Sequence, residues 1–131
     1  MTTILERAKA HYAGLPRLRL SVPEWGSAPD KPAVITWTPL TVRDQERIYA
    51  LNEDGSPARA GQIRIRAVIL KACDDGEAKL FDDMAEHDLR HNVDGDIVGR
   101  VANAILYSAG LVDKTGDGKP VDKQVDDAKN G

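Results

Sequence analysis

The residues with the most evident capacity for chemistry stand four apart in "HDLRH", His87 to His91. On a helix that spacing puts both imidazoles on one face, where they could hold zinc. Asp88 would then stand where a metallopeptidase keeps the glutamate that activates the metal-bound water. Aspartate is one methylene shorter than that glutamate, and the remaining histidine, His11, lies in a distant segment with no dedicated third ligand in view. The pair therefore reads as two partly exposed imidazoles on a polar helix face, with a small metal-binding protein kept as an alternative. "DKTGDGKPVDKQ" (113–124) imitates a calcium loop through Asp113, Thr115, Asp117 and Gly118. Gln124 replaces the bidentate glutamate and no helix follows, so a solvated tail explains it better. Cys73 could be paired on paper with His87 as a thiol nucleophile, but it ends an apolar run, where a buried and inert thiol is expected. G-x-S-x-G, P-loop and G-x-G-x-x-G patterns are all missing from the sequence. No catalytic, cofactor-binding or metal-ligating residue is assigned. The weight moves to a protein that works by surface contact.

Composition narrows the classes further. A chain of 131 residues has room for one modest core, and 41% apolar with 30% charged residues is the balance of a soluble globular domain. A net charge of −3 provides no basic footprint, which makes nucleic acid a poor partner. Arg17 and Arg19 with Arg64 and Arg66 could form a basic patch, although a solvated strand and helix face accounts for them. The single cysteine excludes an intrachain disulfide framework and fits a reducing compartment. No stretch approaches the length needed to cross a bilayer, and "MTTILERAKAHYAGL" carries charges where a signal peptide has its apolar run. The expected location is the cytoplasm, away from membranes.

The local signals predict a succession of short elements. Thr3 followed by Glu6 is a capping-box signature, and Ile4, Leu5, Ala8, Tyr12 and Leu15 repeat as one buried stripe of a surface helix that Gly14 and Pro16 stop. Residues 17–22 alternate as a half-buried strand, and 33–38 are β-branched and aromatic, a second strand. Pro39 ends that strand, and Thr41 with Asp44 caps the next helix. A loop at 52–61 precedes a central apolar helix over 62–73. A turn follows, then Leu80, Phe81 and a short helix in "MAEHDLRHNV". The strongest helix covers "DGDIVGRVANAILYSAG", capped by Asp96, with Gly110 as its left-handed terminator and Leu111 folding back. The fold class is α+β: a small antiparallel hairpin, two-stranded or three-stranded, packed on four to five short helices. Residues 1–111 form the single domain and 112–131 a disordered polar tail. The core centres on Ile69, Leu70, Leu80, Phe81, Val101, Ile105 and Leu106, with Leu18, Leu20 and Trp37 from the hairpin.

One of only two tryptophans sits in "VPEWG", a proline- and glycine-bounded connection between the strands. Trp25 is either a lid on the core or an anchor held out for a partner, and the sequence leaves both readings open.

The order of these landmarks carries a resemblance. "LERAKAHYAGL" leads to a strand ending in "VPEWG", a second strand leads to "PLTVRDQERIYAL", and "RAVILKACDDGEAKLF" and "DGDIVGRVANAI" follow. Over about residues 4–110 this resembles the tail assembly chaperone family of long-tailed, siphovirus-type bacteriophages and their prophages. "CDDGEAKLF" is similar to the family's Asp-x-Asp-Gly-Lys-x-Leu-Phe element, with Glu77 where lysine is commoner. The resemblance implies a non-enzymatic protein of the bacterial host cytoplasm that coats the tape measure protein and helps recruit tail tube subunits. It would associate with itself and be absent from the finished virion. Many such proteins also occur in a longer frameshifted form, and the tail after Gly110 is the kind of arm such an extension could join. Trp25, Pro23 and Glu24 are the expected partner-binding residues. Another small tail or head–tail adaptor is the nearest alternative.

Overall fold

The structure is a computed structural model that describes residues 2–111. The expected disordered tail and the calcium-loop imitation at 113–124 lie outside the described residues. Two strands, five α-helices and two one-turn 3-10 helices follow one another as an α+β arrangement. Helix α1 (Ile4–Ala13) begins where Thr3 Oγ1 accepts the Glu6 backbone N–H at 3.1 Å. Strands β1 (Leu18–Val22) and β2 (Ala33–Trp37) pair antiparallel, with Leu18 opposite Trp37 and Val22 opposite Ala33. Helix α2 (Val42–Ile48) starts at the predicted capping box, in which Asp44 Oδ2 accepts the Thr41 N–H at 3.0 Å and Thr41 Oγ1 accepts that of Asp44 at 3.1 Å. Helix α3 (Ala60–Lys71) begins where Gln62 Oε1 accepts the Arg59 N–H. Helices α4 (Glu86–His91) and α5 (Gly95–Ser108) complete the order.

The hairpin is strictly two-stranded but gains a partial neighbour. Thr36 and Cys73 exchange both backbone hydrogen bonds at 2.8 Å, and Cys73 also bridges Lys79, so the 72–80 turn hangs on the free edge of β2. Asp74 closes that turn by accepting the Gly76 and Ala78 N–H groups, while Glu77 takes a positive φ of 70°. This placement keeps Cys73 half-buried at a sheet edge, where a buried helix end was expected.

Among the helices, α3 and α5 share the largest interface. Ile65, Ala67, Val68 and Ile69 meet Ile97, Val98, Val101, Ala102, Ile105 and Leu106, and β2 lays Ile35 and Trp37 against them. The Trp37 indole N–H is satisfied by Ser108 Oγ at 3.1 Å. At the end of α5, Gly110 has φ 75° and the Leu111 N–H reaches the Leu106 carbonyl at 2.9 Å, the predicted terminator.

Several expectations are corrected. The cap of α5 is Asp94, whose carboxylate accepts the Asp96 N–H, because Gly95 already begins the helix. Leu80 is 41% exposed, and Phe81, Leu70, Leu18 and Leu20 are only half-buried at the core margin. Val22, Ile48 and Leu89 are buried in their place. No residue of α1 is buried, and its tie to the rest of the described chain is the Tyr12 hydroxyl donating to the Pro39 carbonyl. No helix among the described residues is long and apolar enough to cross a membrane.

Candidate partner-binding groove

The connection after β1 is built to hold its tryptophan still. Pro23 opens a one-turn 3-10 helix, Pro23–Trp25, and the Gly26 N–H closes it on the Pro23 carbonyl at 3.0 Å. Gly26 is needed for space. A Cβ there would stand 2.2 Å from the Lys31 carbonyl oxygen and 2.8 Å from the Pro32 Cα. The Ser27 N–H bonds that same Lys31 carbonyl, and the Lys31 N–H returns to Ala28. The ten-residue connection is thus a folded-back loop pinned on itself.

Glu24 ties the turn to α5. Its two carboxylate oxygens accept from Arg100 Nη1 and Nη2 at 2.9 and 2.8 Å, a planar two-point pair. The guanidinium hydrogen bond pulls the Glu24 carboxyl down from 4.5 to about 2, with a backbone N–H helping and slight desolvation opposing. Pro23 is exposed at the head of the turn.

Trp25 itself is half-buried and meets Phe81 edge to face, with ring centroids 6.3 Å apart and planes at 76°. The two rings wall an open apolar groove of about 350 Å³, whose remaining lining is Ala33, Ile35, Leu80, Leu89 and Val93. Four segments meet here: the 3-10 turn, the start of β2, the strand-like exit of the 72–80 turn, and the α4–α5 region. Trp25 packs against the margin of the core and also lines the groove.

Of the three expected partner-binding residues, Trp25 lines the groove, Glu24 anchors its wall and Pro23 shapes the turn. Sequence reasoning missed Leu80, Phe81, Leu89 and Val93 as groove residues. The sequence places Leu80 and Phe81 in the core, and no local spacing signals that both line an open groove.

The histidine pair stands apart from the groove. His87 and His91 are exposed on α4 with ring centroids 4.6 Å apart, and Leu89 occupies the opposite, buried face. Asp88 accepts from Asn92 Nδ2 at 2.8 Å, so it finishes the helix and does not reach over the imidazoles. Among the described residues no group of three or more His, Cys, Asp or Glu side chains is placed to hold a metal ion.

The four arginines considered as a basic patch are dispersed. Arg17 pairs with Glu77 at 3.3 Å and Arg19 with Asp75 at 2.9 Å, so the strand guanidinium groups are neutralised by the acidic turn. Arg66 donates to the Ile48 and Ala50 carbonyls, at and just past the end of α2. A second hollow, lined by Arg47, Arg66, Lys79, Asp82, Asp83 and Glu86, mixes both signs of charge.

The chain matches no protein-family model, no curated protein and no solved structure.

Proposed function

We propose that the chain is a tail assembly chaperone of a long-tailed bacteriophage or prophage, acting in the host cytoplasm. It binds and solubilises the tape measure protein, helps recruit tail tube subunits, and leaves before the virion is complete. The order of landmarks over about residues 4–110 supports the family. The observation that carries the mode of action is the open groove walled by Trp25 and Phe81, lined wholly by apolar residues.

Such a groove suits a client that is a long helix with an apolar stripe. It has room for one bulky side chain, and burying one contributes about 2 kcal/mol. A micromolar complex needs roughly 8 kcal/mol. A single contact is therefore weak and readily reversed, and holding a long client requires many copies acting together. Weak, repeated shielding lets arriving tube subunits displace the chaperone without an energy source.

The test is co-expression with a tape measure protein, whose gene the chaperone reading expects to lie next to this one. The full chain should keep the client in the supernatant. Trp25→Ala should lose most of that effect while shifting thermal unfolding by only a few degrees. Equal loss of stability and solubilisation would make Trp25 a core lid. A client equally soluble without the chain, or stoichiometric amounts of the chain in purified tails, would refute the chaperone reading and favour a tail or head–tail adaptor.

A further inference from the structure

We infer that His87 and His91 form a two-point chelate for a divalent transition-metal ion, copper(II) before nickel(II) or zinc(II). The site lies on the outer face of α4, away from the groove, and stands whether or not the chaperone reading does.

The backbone sets the pair. Residues four apart on a helix stand one turn above one another, with Cβ atoms about 5–6 Å apart. Helix α4 holds that spacing because its other face is seated: Leu89, between the two histidines in sequence, is buried. Asn92 closes the end of the helix, its N–H reaching the Asp88 carbonyl and its Nδ2 the Asp88 carboxylate, each at 2.8 Å. Both imidazoles are exposed, so an ion arrives without displacing a packed group. Rotation about their own χ angles is all the rings need to aim a nitrogen each at one ion.

The ring separation selects the geometry. With metal–nitrogen bonds of about 2.0 Å and a ring radius of about 1.2 Å, imidazoles sharing an ion at a right angle have centroids about 4.5 Å apart. At the tetrahedral angle the same bonds put them about 5.2 Å apart. The centroids of His87 and His91 are 4.6 Å apart, the right-angled case. Two nitrogens at a right angle, with water in the other positions, make the tetragonal environment that suits copper(II) and nickel(II). Affinity for nitrogen donors also climbs to copper along the first-row ions and drops at zinc. Protein zinc sites draw three or four protein ligands, whereas this pair supplies two.

Charge agrees with a cation. Helix α4 carries two carboxylates against one guanidinium. Glu86 and Arg90 offset each other at 3.9 Å, and Asp88 is bonded to the uncharged Asn92 amide, so its charge stays uncompensated. Chelation across the turn in addition favours the folded chain, because only the helix holds the two rings at a fixed separation.

Titration of the purified, untagged full chain with copper(II) chloride tests the inference, read by calorimetry and electron paramagnetic resonance. Wild type should take up one ion in the micromolar range with a two-nitrogen equatorial signal, and nickel(II) and zinc(II) should each bind at least tenfold more weakly. His87→Ala and His91→Ala should each lose at least tenfold in copper(II) affinity, while His11→Ala should bind as wild type does. His91→Asn combined with Asn92→His keeps the number of histidines but moves the second ring off the shared face, and it should lose as much as His91→Ala. Copper(II) should raise the unfolding temperature of wild type and leave that of the two single-histidine variants unmoved. Unfolding curves without metal verify that these exposed substitutions leave the fold intact. Wild type binding no tighter than His87→Ala, a relocated histidine that keeps full affinity, or zinc(II) bound more tightly than copper(II) would overturn the inference.

Discussion

At the scale of residues, the Trp25 turn depends on two groups that carry no apolar surface of their own. Glu24 is held by the Arg100 guanidinium, and its carboxyl titrates at about 2 in place of 4.5. A depressed folded-state value means the pair's contribution is complete above pH 4.5 and disappears as pH falls through about 2. NMR titration of the Glu24 carboxyl should therefore show a midpoint near 2, and Arg100→Ala should return it towards 4.5. A midpoint unchanged by that substitution would mean the two-point pair does not form in solution. Gly26 is the second group. A methyl there collides with the backbone at Lys31 and Pro32, which cannot swing away as a side chain would. Gly26→Ala should destabilise by about 2 kcal/mol and alter Trp25 fluorescence, as overpacking against backbone does. Chemical denaturation with fluorescence readout measures both effects together.

At the scale of elements, α1 and α5 have opposite standing although both look amphipathic in sequence. Helix α5 buries six apolar side chains against α3 and β2, whereas α1 buries none. Ile105→Ala, at a fully buried position, should cost about 3 kcal/mol through lost contacts and the cavity left behind. Deleting residues 2–13 should cost less than about 1 kcal/mol, since the Tyr12 bond to Pro39 is the tertiary hydrogen bond it removes. Urea unfolding of the two variants makes the comparison, and an α1 deletion as damaging as Ile105→Ala would show that the helix packs in solution. The element boundaries were largely legible because their signals are local. Thr3 caps α1 through the Glu6 N–H, half of the box its spacing predicts, Thr41 and Asp44 form theirs in full, and Gly110 terminates α5. The groove was legible only in part. Trp25 stood out by its rarity and its proline-bounded setting, but Leu89 and Val93 reach the groove through packing that no spacing encodes.

At the scale of the whole molecule, one buried cation joins the layers. Lys71, 9% exposed at the end of α3, donates to Asp44 Oδ2 on α2 and to Thr38 Oγ1 just past β2, each at 2.9 Å. Burial would raise the Asp44 carboxyl. The Thr41 N–H, the Lys71 ammonium and the Thr41 hydroxyl outweigh it and hold the group below its ordinary 3.8. The pair's stabilisation is thus whole above pH 3.8 and fades as pH falls through the lower folded-state value. Lys71→Met should cost about 2 kcal/mol near neutrality, less than for a fully buried pair because Asp44 keeps some solvent. The cost should shrink in acid once Asp44 is protonated in wild type too. Denaturation curves at neutral pH and below pH 3 test this, and an equal cost at both would mean the lysine contributes by packing alone.

The sequence by itself determined the elements: caps, alternation, glycine terminators and proline breaks act within a few residues of one another and need no distant partner. It also determined the α+β class, since one short alternating pair among helices admits little else. Only the tertiary structure decided which apolar stripes are covered. Ile4 and Ala8 stand four apart as Ile97 and Val101 do, yet the first pair is exposed and the second buried. Burial is a property of two surfaces meeting, and periodicity records only one of them.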